Sequence, residues 1–245
     1  MDLAEQTLWR VGRRRDPLGF PPRDRCAWSH RFDDLDRRWR TIYCAWTPET
    51  ALREVLADLR PNVATIARFL ARHGPQAAAE LPRAPVTRAW RERNVLMPVR
   101  VVLAEGAHVL DLTDAHVCRR IEERHAALLA EHGLGRLDLH EITTRRRALT
   151  RAIVTHAYDE EQAGLVRYPS SIDLAATPCY ALIEGRARLE PAGEPIPLTD
   201  PPPAALEHVA AGWAMPLAPA PAVSAASRAS SGTAPPASRP RSRSV

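Results

Sequence analysis

Hydrophobic and polar positions alternate most clearly from Thr41 to Trp46, where Ile42, Cys44 and Trp46 take one side and Thr41, Tyr43 and Ala45 the other. That period of two is the mark of a strand with one apolar face, and it turns Tyr43 away from that face. Thr47 then offers a hydroxyl cap, Pro48 fits a first helical position and Glu49 suits the positive end of a helix dipole, so a helix is predicted from Pro48 to Leu59. Its apolar stripe is Ala51, Leu52, Val55, Leu56 and Leu59, with Glu54 on the flank. A basic segment, a strand and a capped helix therefore follow one another between Arg31 and Glu54.

The rest of the chain is read in the same way. Leu8-Trp9-Arg10-Val11 reads as a short first strand, and the polar stretch from Gly12 to Arg38 as an ordered loop, since Trp28 and Phe32 need burial. A second helix with Ile66, Phe69 and Leu70 inward ends at Gly74-Pro75. Val95 to Leu103 and Val109 to Leu112 read as a β-hairpin turned near Glu105-Gly106. Asp114 caps a helix running to about Glu131, and Thr143-Thr144 opens another with Leu149 and Ile153 on its apolar side. Gly164 to Tyr168 and Pro178 to Ile183 are further strands. The sum is an α+β domain over residues 1–190, with a helical insertion at about 60–94. A Pro-, Ala- and Ser-rich tail over 191–245 lacks the periodicity to fold and is expected to be disordered.

Composition narrows the function classes. In 245 residues the formal charge is +5, and all 34 basic residues are Arg. Guanidinium groups suit forked recognition of phosphate or carboxylate, which mildly favours an anionic ligand, although most single Arg side chains of such a chain are solvated. Cys26, Cys44, Cys118 and Cys179 are far apart with no C-x-x-C, which predicts reduced thiols and a cytoplasmic protein. No apolar run matches a membrane span, no His pairing has metal-ligand spacing, and no glycine-rich phosphate loop is present. No metal and no bound cofactor are expected.

Four side chains fall at loop mouths or element flanks: Arg31, Tyr43, Glu54 and Ser170. Singly, each has an ordinary structural explanation: a solvated Arg, a core tyrosine, a surface carboxylate and a turn serine. No histidine is placed to serve Ser170 as a general base, so a Ser/His/Asp hydrolase has no support.

In order and wording the segments resemble the RES domain, a family named for Arg, Glu and Ser and found in bacterial toxins that destroy NAD. Leu8-Trp9-Arg10-Val11, His30-Arg31-Phe32-Asp33, Thr41-Ile42-Tyr43 and Ala51-Leu52-Arg53-Glu54 stand at the family's successive motifs. Gly164-Leu165-Val166-Arg167-Tyr168-Pro169-Ser170, followed by the strand Cys179 to Ile183, stands at its last. Two positions depart: His30 replaces a glycine and Asp33 an asparagine, which puts an extra negative charge beside Arg31.

The resemblance implies a fold like that of ADP-ribosyltransferases, with mixed sheets and flanking helices, and NAD as a substrate, not a cofactor. It implies that Glu54 orients the ribose and stabilises positive charge developing on it, and that Arg31 pairs with a diphosphate or an incoming phosphate. Tyr43 would line the nicotinamide pocket, Ser170 would donate to a phosphate or ribose oxygen, and Arg10 would be a second anion contact. It further implies a helix-turn-helix antitoxin as partner, with no membrane and with nucleic acid reached only through that antitoxin. The acceptor stays open between water (NAD glycohydrolase) and inorganic phosphate (NAD phosphorylase), with transfer to a protein the lesser alternative. Two other classes are kept: an inactive RES-like interaction module, and a nucleic-acid-binding protein using the Arg-rich surface and the end Ser238 to Val245.

Overall fold

Eight strands and eight α-helices, in runs of each, make up the regular structure of the residues described by the computed structural model, 5–143 and 147–218. Thr144 of the expected Thr143-Thr144 helix start, and residues 219–245 of the expected tail, lie outside the described residues. The strands are β1 (Leu8–Arg13), β2 (Thr41–Ala45), β3 (Asn94–Leu103), β4 (His108–Asp111), β5 (Ala163–Pro169), β6 (Pro178–Ile183), β7 (Ala187–Pro191) and β8 (Ile196–Pro197). They join in the order β4-β5-β6-β2-β1-β3-β7, with β8 beside β3. Only β4 and β5 run parallel, so the sheet is mixed and the class is α+β, as the pattern predicts.

The sheet has a weak seam. β1 meets β2 at the single pair Trp9↔Ala45, whereas β1 and β3 are in register from Leu8↔Val99 to Arg13↔Asn94. At that seam the sheet folds over on itself. Ile42, Cys44 and Leu182 from one half share a buried apolar core with Leu8, Val99 and Val101 from the other. This is the alternation read at Thr41 to Trp46: one face of β2 enters the core between the half-sheets, and the other faces the helices.

Folding over also corrects one expectation. β3 and β4 are not a hairpin; they lie toward opposite ends of the strand order, and β4 pairs with β5. Glu105-Gly106 does turn the chain, with Gly106 at φ +76°, but the chain crosses from one half-sheet to the other there. The short turn from β6 to β7 crosses back, and the two crossovers are joined by the Ala104 N–H donating to the Arg186 carbonyl at 2.9 Å.

Helices α1 (Pro48–Leu56), α7 (Arg147–Glu161) and α8 (Ala204–Gly212) build the second core with the other face of the sheet. Leu52, Leu56, Leu149, Ile153 and Leu206 are at its centre, all fully buried. Thr47 caps α1 by accepting from the Thr50 N–H, and Pro48 follows, as the sequence predicts. Val55 departs from the predicted stripe and is 43% exposed. The reason is that α1 is clasped on a second side by the loop between β5 and β6, which covers Thr50 and draws Glu54 inward. Phe32 and Trp39 are buried and anchor the long loop before β2.

Regular structure does not stop at residue 190. β7, β8 and α8 continue it, and Leu206, Val209 and Ala210 of α8 are buried, with α8 packed against α1. The wholly buried Arg91 on α3 (Arg88–Arg93) ties this segment down, pairing with Asp200 at 2.8 Å and donating to the Ala218 carbonyl at 2.6 Å. Within residues 60–94, α2 (Val63–His73), capped by Asn62, carries Ile66, Phe69 and Leu70 only half-buried. The helix expected from Asp114 is divided at His125 into α4 (Ala115–Arg124) and α5 (Ala126–Glu131).

Candidate active site

The register of β2, β6 and β5 sets the site's floor. Tyr43 of β2 lies opposite Ala181, and Cys179 of β6 lies opposite Tyr168 of β5. Two tyrosines therefore flank the small side chains Cys179 and Ala181, on the face turned to the helices. Tyr168, the tyrosine of the Tyr-Pro-Ser motif, is buried and meets Phe32 edge-on at 4.8 Å.

Glu54 reaches this floor from α1. Its Oε1 accepts the Ser170 hydroxyl at 2.6 Å and the Cys179 thiol at 3.9 Å. Ser170 follows β5 directly and is 4% exposed. Its Oγ also accepts the N–H groups of Ile172, at 3.2 Å, and Asp173, at 3.0 Å. A hydroxyl has one proton and two lone pairs, so Ser170 is fully used: both acceptor sites face backbone and the proton is given to Glu54. The expected donation from Ser170 to a substrate oxygen is not the geometry found.

Arg31 stands across from Glu54. Its Nη1 donates to the Ile142 carbonyl and its Nη2 to that of Thr143, at 2.9 Å, at the C-terminal end of α6 (Leu139–Thr143). A cation there meets the negative end of the helix dipole. Burial lowers the guanidinium's pKa, while Tyr168, Glu54 and Tyr43 act to raise it. Arg31, Tyr43 and Glu54 are each half-buried. Burial pushes the Glu54 carboxyl above its ordinary value; the Ser170 hydrogen bond and Arg31 oppose that shift, and Asp173 adds to it. Burial likewise raises the Tyr43 phenol.

The two departures from the family motif are accommodated locally. Asp33 is buried and accepts the His30 N–H at 2.8 Å and the Thr41 hydroxyl at 2.5 Å. It closes the turn that presents Arg31, using acceptors that a neutral amide shares only in part. His30 places its ring 5.8 Å from that of Tyr43. Arg10 is committed to structure: Nε donates to the Pro17 carbonyl at 3.0 Å and Nη1 to the Tyr43 carbonyl at 2.9 Å. It still lines a cavity of about 200 Å³ shared with Arg25, His30, Arg40 and Tyr43.

A larger cavity of about 550 Å³ has Leu112, Cys118, Leu137, Ile142, Pro169 and Ala176 in its wall and none of Arg31, Tyr43, Glu54 and Ser170. Two of its wall residues adjoin the site: the Ile142 carbonyl accepts from Arg31, and Pro169 precedes Ser170. Among the described residues no group of three or more His, Cys, Asp or Glu could hold a metal ion, and no helix is long and apolar enough to cross a membrane. All four cysteines are free.

A family model described as the RES domain matches residues 7–207. The chain belongs to the RES domain family. The match runs past the predicted boundary at 190 and takes in β8 and the start of α8. No curated protein sequence matches the chain. One solved structure that this RES protein is similar to is described as "Crystal structure of the M.tuberculosis MbcT-MbcA toxin-antitoxin complex", with 17% identity, a TM-score of 0.48, and coverage of 84% of this chain and 89% of that one.

Sequence reasoning brought Arg31, Tyr43, Glu54 and Ser170 forward, and these four are together in space. It missed Tyr168, Cys179 and the Asp173 loop. Tyr168 and Cys179 could be found from strand register alone, since both share the face of Tyr43.

Proposed function

We propose that this RES protein is a cytoplasmic toxin that cleaves the nicotinamide–ribose bond of NAD and is held silent by an antitoxin partner of helix-turn-helix type. The observation that carries this reading is the carboxylate of Glu54, fixed by the Ser170 proton and set opposite Arg31 beside an aromatic wall. When that bond breaks, its electron pair leaves with nicotinamide and positive charge grows on the ribose. A fixed carboxylate already in place stabilises this charge without reorganising. Glu54 takes that role, Ser170 orients it, and Tyr43 lines the pocket of the departing ring. Arg31 supplies the positive charge suited to the diphosphate or to an incoming phosphate. The cavity beside Pro169 and Ala176 offers room for the rest of the dinucleotide.

The acceptor is water or inorganic phosphate. Water gives ADP-ribose, nicotinamide and a proton; phosphate gives a phosphorylated ADP-ribose and nicotinamide. Incubating purified protein with NAD, with and without phosphate, tests the proposal. Consumption by the wild type that is lost in Glu54→Ala supports it, and no consumption, or equal consumption by the variant, overturns it. The partnering of Asp33 by His30 and Thr41 favours this reading over an inactive module, because the extra charge is spent on the turn.

A further inference from the structure

We propose that Asp173 is a positioning residue for Glu54, clamping the loop that carries Ser170 onto the helix that carries Glu54. The inference rests on the reading of Glu54 as the working carboxylate and names what holds it in place.

The loop from Ser170 to Thr177 closes on itself, with the Ser170 N–H donating to the Thr177 carbonyl at 2.9 Å. Asp173 sits inside it with its side chain 9% exposed, although Leu174 beside it is fully exposed. Asp173 Oδ2 accepts the Thr50 hydroxyl at 2.6 Å and the Thr177 hydroxyl at 2.8 Å, and pairs with Arg53 Nη1 at 3.2 Å. Its Oδ1 accepts the Ala175 N–H at 3.2 Å. Thr50 and Arg53 lie four and one positions before Glu54, on the same turns of α1. The clamp and the carboxylate it serves are thus on one rigid element, and the loop is fixed to that element at both Ser170 and Asp173.

Proton counting gives the clamp a direction. The Thr50 hydroxyl has one proton and gives it to Asp173, so in the 2.8 Å contact between the Thr47 and Thr50 hydroxyls Thr47 is the donor. The helix cap, the helix and the loop form one chain of donors ending on a carboxylate. Burial pushes the Asp173 carboxyl up, but the Thr50, Thr177 and Ala175 bonds and the Arg53 charge outweigh it and hold the group below the ordinary carboxylate range. It stays ionised where Glu54 titrates. The Asp173 N–H, in turn, is one of the two that fill the lone pairs of Ser170 and leave its proton for Glu54. Ala176 is held at φ +48°, a backbone region that side chains disfavour, so the loop conformation depends on these bonds.

The groups facing Glu54 are Ser170 and Asp173 of the loop, Arg31, Tyr168 of β5 and Cys179 of β6. Asp173→Asn keeps one acceptor oxygen, which at the Oδ2 position serves both threonines, while it removes the negative charge and the acceptor of the Ala175 N–H; Asp173→Ala removes the clamp. In NAD consumption by the full chain, D173A is expected to lower kcat on the order of a hundredfold with KM changed far less, as expected of misplaced catalytic groups. D173N should recover about tenfold of that loss by keeping part of the geometry. Because a like charge beside Glu54 is gone, the acid limb of the D173N kcat profile should move to lower pH. A clamp that only stabilises the fold would reduce the folded fraction and leave that limb in place, and such a result overturns the proposal, as does a D173A protein with wild-type kcat. Should the wild type consume no NAD, the proposed activity fails separately. The clamp is then read by carbon NMR titration of the Glu54 carboxyl, where an unchanged midpoint in D173N overturns it and a lowered one supports it.

Discussion

The Ser170 hydroxyl meets Glu54 Oε1 at 2.6 Å, between residues 116 positions apart in the chain. One residue sits at the end of a strand and the other on a helix flank, and the contact fixes the orientation of a carboxylate whose burial works against its ionisation. Burial and the hydrogen bond thus pull the Glu54 proton in opposite directions.

Replacing Glu54 by Gln should lower NAD cleavage by roughly 10² to 10³-fold, the size typical of removing one preorganised electrostatic group. The stability effect runs the other way. The folded-state pKa of Glu54 lies above its ordinary 4.5, so folding favours the protonated form. That contribution is fully present below the unfolded value and is lost as pH rises through the folded one. At neutral pH the wild type therefore carries a penalty that E54Q lacks. Thermal unfolding should show a higher Tm for E54Q at pH 7, with the difference closing below about pH 4. A lower Tm for E54Q at pH 7 would contradict the burial of an ionised group.

Ser170→Ala should act through Glu54. Its loss removes the hydrogen bond that most lowers the Glu54 pKa, so the acid limb of the activity profile should shift to higher pH, opposite to the shift expected of D173N. The N–H groups of Ile172 and Asp173 also lose their acceptor, which should cost about 1–3 kcal/mol in denaturant unfolding. Were Ser170 instead to serve only the substrate, KM would rise and the limb would stay where it is.

These two predictions depend on side chains that the sequence itself brings forward, and the reason is local. Thr47 and Pro48 announce α1 within three residues, and the alternation at Thr41 to Trp46 puts Tyr43 on its correct face. Asp173 was not legible, because Thr50, Arg53 and Thr177 become its partners only when the β5–β6 loop folds over α1. The β3–β4 crossover was not legible either. A glycine turn between two apolar runs reads the same whether the second strand pairs with the first or leaves for another half-sheet. In α8, Leu206, Val209 and Ala210 have helical spacing, but the surrounding Pro and Ala mask it at the level of composition.

Ending the chain after Pro191 should therefore unfold it. Leu206 and Val209 of α8 are buried against the core that α1 shares, and burial of each is worth about 1.5–3 kcal/mol. Domains have only roughly 5–15 kcal/mol in total, and Arg91 would be left buried without Asp200 and the Ala218 carbonyl. Truncated protein should show no cooperative transition in urea. A truncated form with a wild-type midpoint would return the fold boundary to residue 190.

Gly164→Ala tests how the half-sheets close. A Cβ at Gly164 would lie 2.8 Å from the Arg186 carbonyl oxygen and 3.1 Å from the Ala107 Cβ. Arg186 belongs to the β6–β7 crossover and Ala107 to the β3–β4 crossover, so one added methyl would press on both at once. Neither contact is with the free end of a flexible side chain, and overpacking of this kind costs about 1–3 kcal/mol. Gly164 is the second residue of β5 and Ser170 follows that strand directly, so displacement there is transmitted along β5 toward the Glu54 contact. The variant should lose stability in urea and also lose more NAD cleavage than its folded fraction explains. Gly106→Ala is the control: it lies in the same crossover with open space around it, and only its φ of +76° opposes a side chain. Backbone strain of that kind costs on the order of 1 kcal/mol. A Gly164→Ala protein no less stable than Gly106→Ala would mean that the two crossovers do not approach β5 as closely as the fold requires.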